Sequence, residues 1–187
     1  MKDKNYKRLQ IDRSNKKWGS KTFWEYSADR LESQIEEVYE YNDAPDNIIC
    51  LGIRDGNEYK FFKENGYTKD SKVYGIDINP IVEDVGDNCY CYDFSKLPKE
   101  YKNKFDLVYS NSIDHALDLD ITIKEWHRIC KRNAIIVFCK LEGDGIIDIH
   151  SFKNVDEIKK LTKNYFDIVK VWESKNNITV FFKKKNV

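Results

Sequence analysis

Short apolar runs separated by amphipathic segments govern what this chain can become. Ile48–Leu51, Val73–Ile76 and Phe105–Tyr109 read as strands, Asn88–Tyr92 as a weaker one, and Ala134–Phe138 as a central strand buried on both faces. Between them Glu58–Glu64 predicts a helix ending at Asn65-Gly66. Ile121–Cys130 carries Ile123, Trp126, His127 and Cys130 at helical spacing, and Val155–Tyr165 predicts a further helix. Strand–helix alternation implies a parallel sheet with helices on both faces. The end departs from that pattern: Ile168–Trp172 and Ile178–Phe182 flank Ser174-Lys175-Asn176-Asn177, the signature of an antiparallel hairpin. An α/β sheet of seven strands follows, mostly parallel and closed by two antiparallel ones.

Two junctions in this alternation point to chemistry. Ile48-Ile49-Cys50-Leu51 opens into Gly52-Ile53-Arg54-Asp55-Gly56-Asn57-Glu58, a glycine-bearing turn leading into a polar helix start. About twenty residues on, Val73-Tyr74-Gly75-Ile76 ends in Asp77-Ile78-Asn79-Pro80. A turn that brings backbone close to a ligand, followed by a carboxylate at the next strand tip, is how ribose-bearing cofactors are held. The spacing Gly52-x-x-x-Gly56 is not the GxGxxG of nicotinamide enzymes.

From Asp46 onward the chain resembles the small class I S-adenosylmethionine-dependent methyltransferases, a Rossmann-like, doubly wound fold. Leu51–Gly56 takes the place of the family's first motif, and Gly75-Ile76-Asp77-Ile78-Asn79-Pro80 that of the second, where the acid binds the cofactor ribose. Tyr92-Asp93-Phe94 with Leu97-Pro98 resembles the third, where an acid and the next backbone amide meet the adenine. Phe105–Asn111 resembles the fourth strand and its sequel, and Glu125–Lys131 the helix before the fifth strand. The resemblance implies S-adenosyl-L-methionine as cofactor, S-adenosyl-L-homocysteine as product, and a cofactor site of Gly52, Arg54, Gly56, Glu58, Asp77, Ile78, Asp93, Phe94, Ser110 and Asn111. Two positions depart from the family: Cys50 stands where an acid is usual, and Arg54 where the middle glycine is usual. A side chain at 54 narrows the approach to the cofactor's methionine part or supplies a charge there.

Past the fourth strand, Ser110-Asn111-Ser112-Ile113-Asp114-His115 should face the reacting centre, because ligands lie outside the carboxyl ends of the strands. Methyl transfer needs the acceptor held close and, for a hydroxyl, its proton removed. A neutral imidazole does that near pH 7, which makes His115 the candidate base. Asp114, His150 and Trp18 are candidates for the acceptor side, whereas His127 beside Trp126 reads as packed. Acids at 114, 118, 120, 142 and 144 have no diagnostic metal spacing, so no metal is assigned. Residues 1–17 read as polar and basic, without a predicted element. The aromatic cluster Trp18, Phe23, Trp24 and Tyr26 reads as a lid with Gly19-Ser20 as its hinge, and Leu31, Ile35, Val38 and Tyr39 recur at helical spacing. Residues 1–45 are thus an N-terminal aromatic and helical segment of the same domain, and 46–187 the methyltransferase-like domain.

Composition narrows the partners. Thirty-two basic and 32 acidic residues balance, so the basic surplus of a nucleic-acid binder is missing, as is the Asn-Pro-Pro-aromatic signature of base methylation after the fourth strand. Five cysteines without a CxxC pair argue for a reducing, cytoplasmic setting, and no apolar stretch is long enough to span a bilayer. Elimination leaves a small polar acceptor, a metabolite or a sugar or glycan precursor, methylated on oxygen. The rival reading is a degenerate cofactor-fold module working as a non-catalytic or partner-dependent subunit, motivated by Cys50 and Arg54. Oligomeric state is left open.

Overall fold

The computed structural model describes residues 2–17, 31–36, 45–64, 71–141 and 149–186. Its strands are β1 Asn47–Leu51, β2 Lys72–Asp77, β3 Cys89–Cys91, β4 Phe105–Ser110, β5 Cys130–Cys139, β6 Phe166–Glu173 and β7 Asn177–Lys184. They form a single sheet in the order β3-β2-β1-β4-β5-β7-β6. The first five run parallel, and β7 lies antiparallel between β5 and β6. The described helices are α1 Lys2–Lys17, α2 over residues 31–36, α3 Asn57–Glu64, α4 Leu119–Ile129 and α5 Val155–Thr162.

Alternate strand residues feed two cores, as the two-residue period of a strand requires. Ile49, Leu51, Val108, Ala134 and Ile136 pack with Ile123, Trp126 and Ile129 of α4 and Ile158 of α5. On the other face Ile48, Cys50, Leu107, Tyr109 and Ile135 meet Leu31 and Ile35 of α2 and Tyr59, Phe61 and Phe62 of α3. Every residue of β4 is buried, Asp106 and Ser110 included.

The structure extends several sequence-based bounds. β5 runs well beyond Ala134–Phe138: it takes Cys130 from the expected helix by pairing it with Phe105 of β4, and β7 pairs with it from Asn133↔Lys183 to Cys139↔Asn177. α4 begins earlier than Ile121, since Asp118 caps it by accepting from the Ile121 amide. α5 stops at Thr162, and His127 is packed as expected, against Tyr165 and Phe166 with Nε2 3.0 Å from the Lys185 carbonyl. The larger correction concerns residues 2–17, which form a helix rather than an irregular polar stretch. Trp18, Phe23, Trp24, Tyr26, Val38, Tyr39 and the expected Asn65-Gly66 helix end lie outside the described residues.

Helix α4 also secures the loop after β3. Trp126, wholly buried, donates its indole N–H to the Phe94 carbonyl at 3.1 Å. Glu125 accepts the Leu97 amide at 2.7 Å and grips Arg128 through both carboxylate oxygens, at 2.8 and 2.7 Å. Arg128 in turn donates to the carbonyls of Leu97, Pro98 and Lys99. Removing Glu125 takes the acceptor from the Leu97 amide and the counter-charge from the guanidinium, which keeps its carbonyl partners. Glu125→Ala should therefore cost about 1–3 kcal/mol, read as a lower urea midpoint at unchanged slope, with faster amide exchange at Leu97.

Candidate functional site

Strand order reverses between β1 and β4, and the site residues gather at the carboxyl ends around that switch. Asp77, the last residue of β2, is buried, and both its oxygens are engaged. Oδ2 accepts the Arg54 amide at 2.7 Å and Oδ1 the Asn79 amide at 2.9 Å. Burial pushes this carboxyl above its usual range, although the backbone amides oppose that. The Asp77 carboxylate, which also takes the Ile78 amide, thus joins the β1 turn to the loop after β2.

The β1 turn itself is left-handed at three residues: Gly52 at φ 77°, Arg54 at 46° and Gly56 at 80°. Gly52 donates to the Ile76 carbonyl at 2.8 Å, and its own carbonyl accepts the Ser112 hydroxyl at 3.0 Å. A Cβ at 52 would lie 2.5 Å from that of Ser112 and 3.7 Å from the Phe94 ring, so three loops converge on this glycine. At Gly56 the space for a Cβ is taken by Val85, 2.1 Å away. Both glycines let parts of the chain approach each other closely.

Arg54 occupies a conformation that favours glycine. Its Nε is buried without a hydrogen-bond partner, and the nearest carboxylate oxygen, on Asp55, is 3.9 Å away. Glu58, at the start of α3, is also buried, and its Oε1 accepts from the Asn111 amide group at 2.6 Å. Burial lifts the Glu58 carboxyl to about 7, with Asp55 adding to the rise and the Asn111 bond and Arg54 charge opposing it. The same carboxylate raises the neighbouring Cys50 thiol, second to burial. The acid absent from position 50 thus stands beside it, on α3.

After β4, Ser110 turns inward and bridges strands: its hydroxyl donates to Leu51 O at 3.0 Å and accepts from the Ser112 amide at 3.1 Å. Asn111 links Glu58 to Ser112. The carbonyl of Asp114 accepts the amides of Ile149 and His150, and His150 Nε2 lies 2.8 Å from Ala116 O. A carbonyl only accepts, so Nε2 carries the proton and Nδ1 of the neutral ring is a lone-pair donor. His115 and His150 are thereby drawn to one loop pair at the ends of β4 and β5.

Toward β3, Phe94 stands edge-on to Trp126 at 5.6 Å, and Ile78 accepts the Cys91 thiol through its carbonyl. Asp93 accepts from the amide and hydroxyl of Ser95 at 2.9 and 2.6 Å and pairs with Lys7 at 2.8 Å. Burial would raise this carboxyl, but Lys7 and Ser95 outweigh it and hold it low.

Lys7 belongs to α1, which sequence reasoning did not bring to the site. Tyr6 donates to His115 O at 2.7 Å, and the buried Asn79 amide group reaches Ser14 Oγ at 3.2 Å and Asn15 Oδ1 at 2.6 Å. The helix therefore crosses three of the loops just described. The available signal was the four-residue spacing of Tyr6, Gln10 and Ser14, a polar face invisible to apolar periodicity. Trp18 lies outside the described residues, where no such test is possible. Among the described residues no three His, Cys, Asp or Glu side chains converge on a metal position, and no helix is long and apolar enough to cross a membrane.

The sheet order with its closing antiparallel pair, and a buried acid ending β2 beside a left-handed β1 turn, define the architecture of class I methyltransferases. Residues 49–138 match the family model described as a methyltransferase domain. The N-methyltransferase NodS from Bradyrhizobium japonicum WM9, solved with S-adenosyl-L-homocysteine, superposes with a TM-score of 0.68 at 10% identity, over 94% of this chain and 98% of that one. A SAM-dependent methyltransferase from Aquifex aeolicus gives 0.61 at 17% identity, covering 79% and 88%. A Pyrococcus horikoshii OT3 protein gives 0.66 at 16%, covering 84% and 90%. These structural likenesses speak for the fold. No curated protein matches the chain in sequence. Residues 49–138 thus carry a methyltransferase domain, and the sheet has the fold of S-adenosylmethionine-dependent methyltransferases, consistent with S-adenosylmethionine as cofactor.

Glu58 supplies a direct check on this electrostatic arrangement. An acid whose folded pKa is raised stabilises the fold below its unfolded pKa, and that contribution is lost as pH rises through the folded pKa. Between about pH 4.5 and 7 the wild type should lose stability that Glu58→Gln retains, on the order of 2 kcal/mol. Urea midpoints of both proteins at pH 5 and pH 8 test it: the variant should gain on the wild type at pH 8, and parallel curves would show Glu58 to be solvated.

Proposed function

We propose that this enzyme methylates an oxygen of a small polar acceptor, a metabolite or a sugar or glycan precursor. The observation that carries the reading is that His150 is bonded to the Asp114 and Ala116 carbonyls, on the loop after β4 that carries His115. Bound, S-adenosylmethionine supplies an electrophilic methyl group on a sulfonium sulfur. The chain's residues fit its parts. Asp93 and the Phe94 backbone take the adenine, with the Phe94 ring beside Gly52. Asp77, at the tip of β2, takes the ribose hydroxyls, with Ile78 beside it. Arg54, Glu58, Ser110 and Asn111 surround the amino-acid end, and Gly52 and Gly56 shape the turn.

In this reading His115 accepts the acceptor's hydroxyl proton on its ring, while Asp114 and His150 line the acceptor side. Positioning supplies most of the remaining barrier reduction. Helix α1 is the lid, held by Tyr6, Lys7, Ser14 and Asn15 across the site, and Trp18 is kept as a contact for the acceptor. Balanced charge leaves nothing to steer a nucleic-acid acceptor. Five free thiols suit a reducing cytoplasm. The second reading, a partner-dependent module, draws on the Lys7–Asp93 pair, which occupies the acid proposed for adenine.

The test is calorimetric titration with S-adenosyl-L-homocysteine, then a screen of hydroxyl-bearing sugars, nucleotide sugars and hydroxy acids against an amine series, read as homocysteine release. Asp77→Ala should abolish measurable binding. His115→Ala should keep binding but lower kcat on the responding hydroxyl compound about 10²–10⁴-fold. Turnover confined to amines would sink the oxygen reading, and a folded protein that binds the cofactor yet turns over nothing without an added subunit would favour the module.

A further inference from the structure

The strand order works as a ruler across the site. Asp93–Phe94 follow β3, Asp77 ends β2, Arg54 and Glu58 follow β1, and Asn111 follows β4. A molecule that touches these in turn meets Arg54 and Glu58 at the end opposite its aromatic base. Asp77 and Arg54 are joined by a 2.7 Å bond through the Arg54 amide, so a ligand on the Asp77 carboxylate lies beside residue 54.

Here the chain presents one cation and one anion. Arg54 has a buried Nε without a hydrogen-bond partner, and it pairs with no carboxylate closer than 3.9 Å. An unmatched buried donor on a planar cationic fork suits a carboxylate. Glu58 is buried with Oε1 fixed by Asn111 at 2.6 Å. A carboxylate held that way suits an ammonium group. We propose that Arg54 and Glu58 form a side-chain clamp for the zwitterionic amino-acid end of the cofactor, Arg54 on its carboxylate and Glu58 with Asn111 on its ammonium. The clamp replaces both elements missing from the turn, the acid at position 50 and the open glycine at position 54. It explains why a non-glycine residue is kept at φ 46°, a conformation that is strained for side-chain-bearing residues. This inference rests on the cofactor reading and adds the residues that select the cofactor's far end.

The experiment compares four ligands by calorimetry: S-adenosyl-L-homocysteine, S-adenosylmethionine, its decarboxylated form, and 5′-methylthioadenosine, which lacks the amino-acid end. The proteins are wild type, Arg54→Gly, Arg54→Lys and Glu58→Gln, each checked by circular dichroism and thermal melting. Glycine relieves the left-handed backbone at 54, so Arg54→Gly should fold at least as well as wild type. The wild type should bind the homocysteine about 30-fold or more tighter than methylthioadenosine. Arg54→Gly should weaken the homocysteine about tenfold, leave methylthioadenosine unchanged, and abolish discrimination against the decarboxylated cofactor, with lysine recovering part of the loss. Glu58→Gln should weaken the homocysteine and leave methylthioadenosine unchanged. Homocysteine binding that is unchanged or tighter in Arg54→Gly overturns the clamp while leaving the cofactor reading intact. A folded wild type that binds neither S-adenosylmethionine nor S-adenosyl-L-homocysteine overturns both.

Discussion

Everything at the switch point hangs on the carboxylate of Asp77. A buried acid is costly unless its lone pairs are used, and here two backbone amides from different loops use them. Those bonds fix the β1 turn against the end of β2, and the turn in turn fixes Gly52 under Ser112 and Phe94. The loops after β1, β2, β3 and β4 are therefore registered to one another by a single side chain and one bare Cα. Loops so registered can present ligand groups without ordering cost at the moment of binding.

The charges around this joint are unevenly matched. Asp93 has a cation and a hydroxyl, Asp77 has amides, Glu58 has an amide group, and Arg54 has little. At the opposite, amino end of β4, the buried Asp106 has opposite charges at contact distance, Lys131 at 3.1 Å and Arg132 at 3.0 Å from Oδ1, and accepts the Asn47 amide on Oδ2 at 3.1 Å, although Oδ1 makes no well-aligned hydrogen bond. That acid is neutralised by neighbouring cations of its own chain, whereas the Arg54 guanidinium has no carboxylate closer than 3.9 Å.

The sheet was legible because apolar runs of four to five residues with β-branched residues are what buried parallel strands need, and the closing hairpin announced itself by its turn residues. The tight turn after β1 and the buried acid at the tip of β2 were legible from Gly52 and Asp77. Less legible were the uses of individual residues. Ser110 reads as site-facing but bridges β1 and β4, since its position within a fully buried strand leaves its hydroxyl only backbone to bond. Gly56 reads as ligand-facing, yet Val85, from a segment 29 residues on, fills its space, a tertiary contact no local pattern encodes. His150 comes to the site through Asp114 and Ala116 carbonyls, again a backbone contact without a sequence signal.

Helix α1 was missed for a reason that bears on how the site works. An element that docks by burying an apolar stripe shows the stripe in its sequence, whereas α1 docks by polar side chains: Tyr6 to a carbonyl, Lys7 to Asp93, and Ser14 and Asn15 to Asn79. Such contacts are worth roughly 0–1 kcal/mol each when partly exposed, far less than the burial that holds α4 and α5 to the sheet. Low docking energy is what a cover over a ligand site requires, since elements that open are drawn from the least stable part of a fold. Each of these bonds also uses a group at or next to a proposed cofactor or acceptor contact, so a ligand and the helix compete for, or share, the same polar atoms. The feature that hid α1 from the sequence, a polar docking face, is the one that suits it to cover a polar site and leave it.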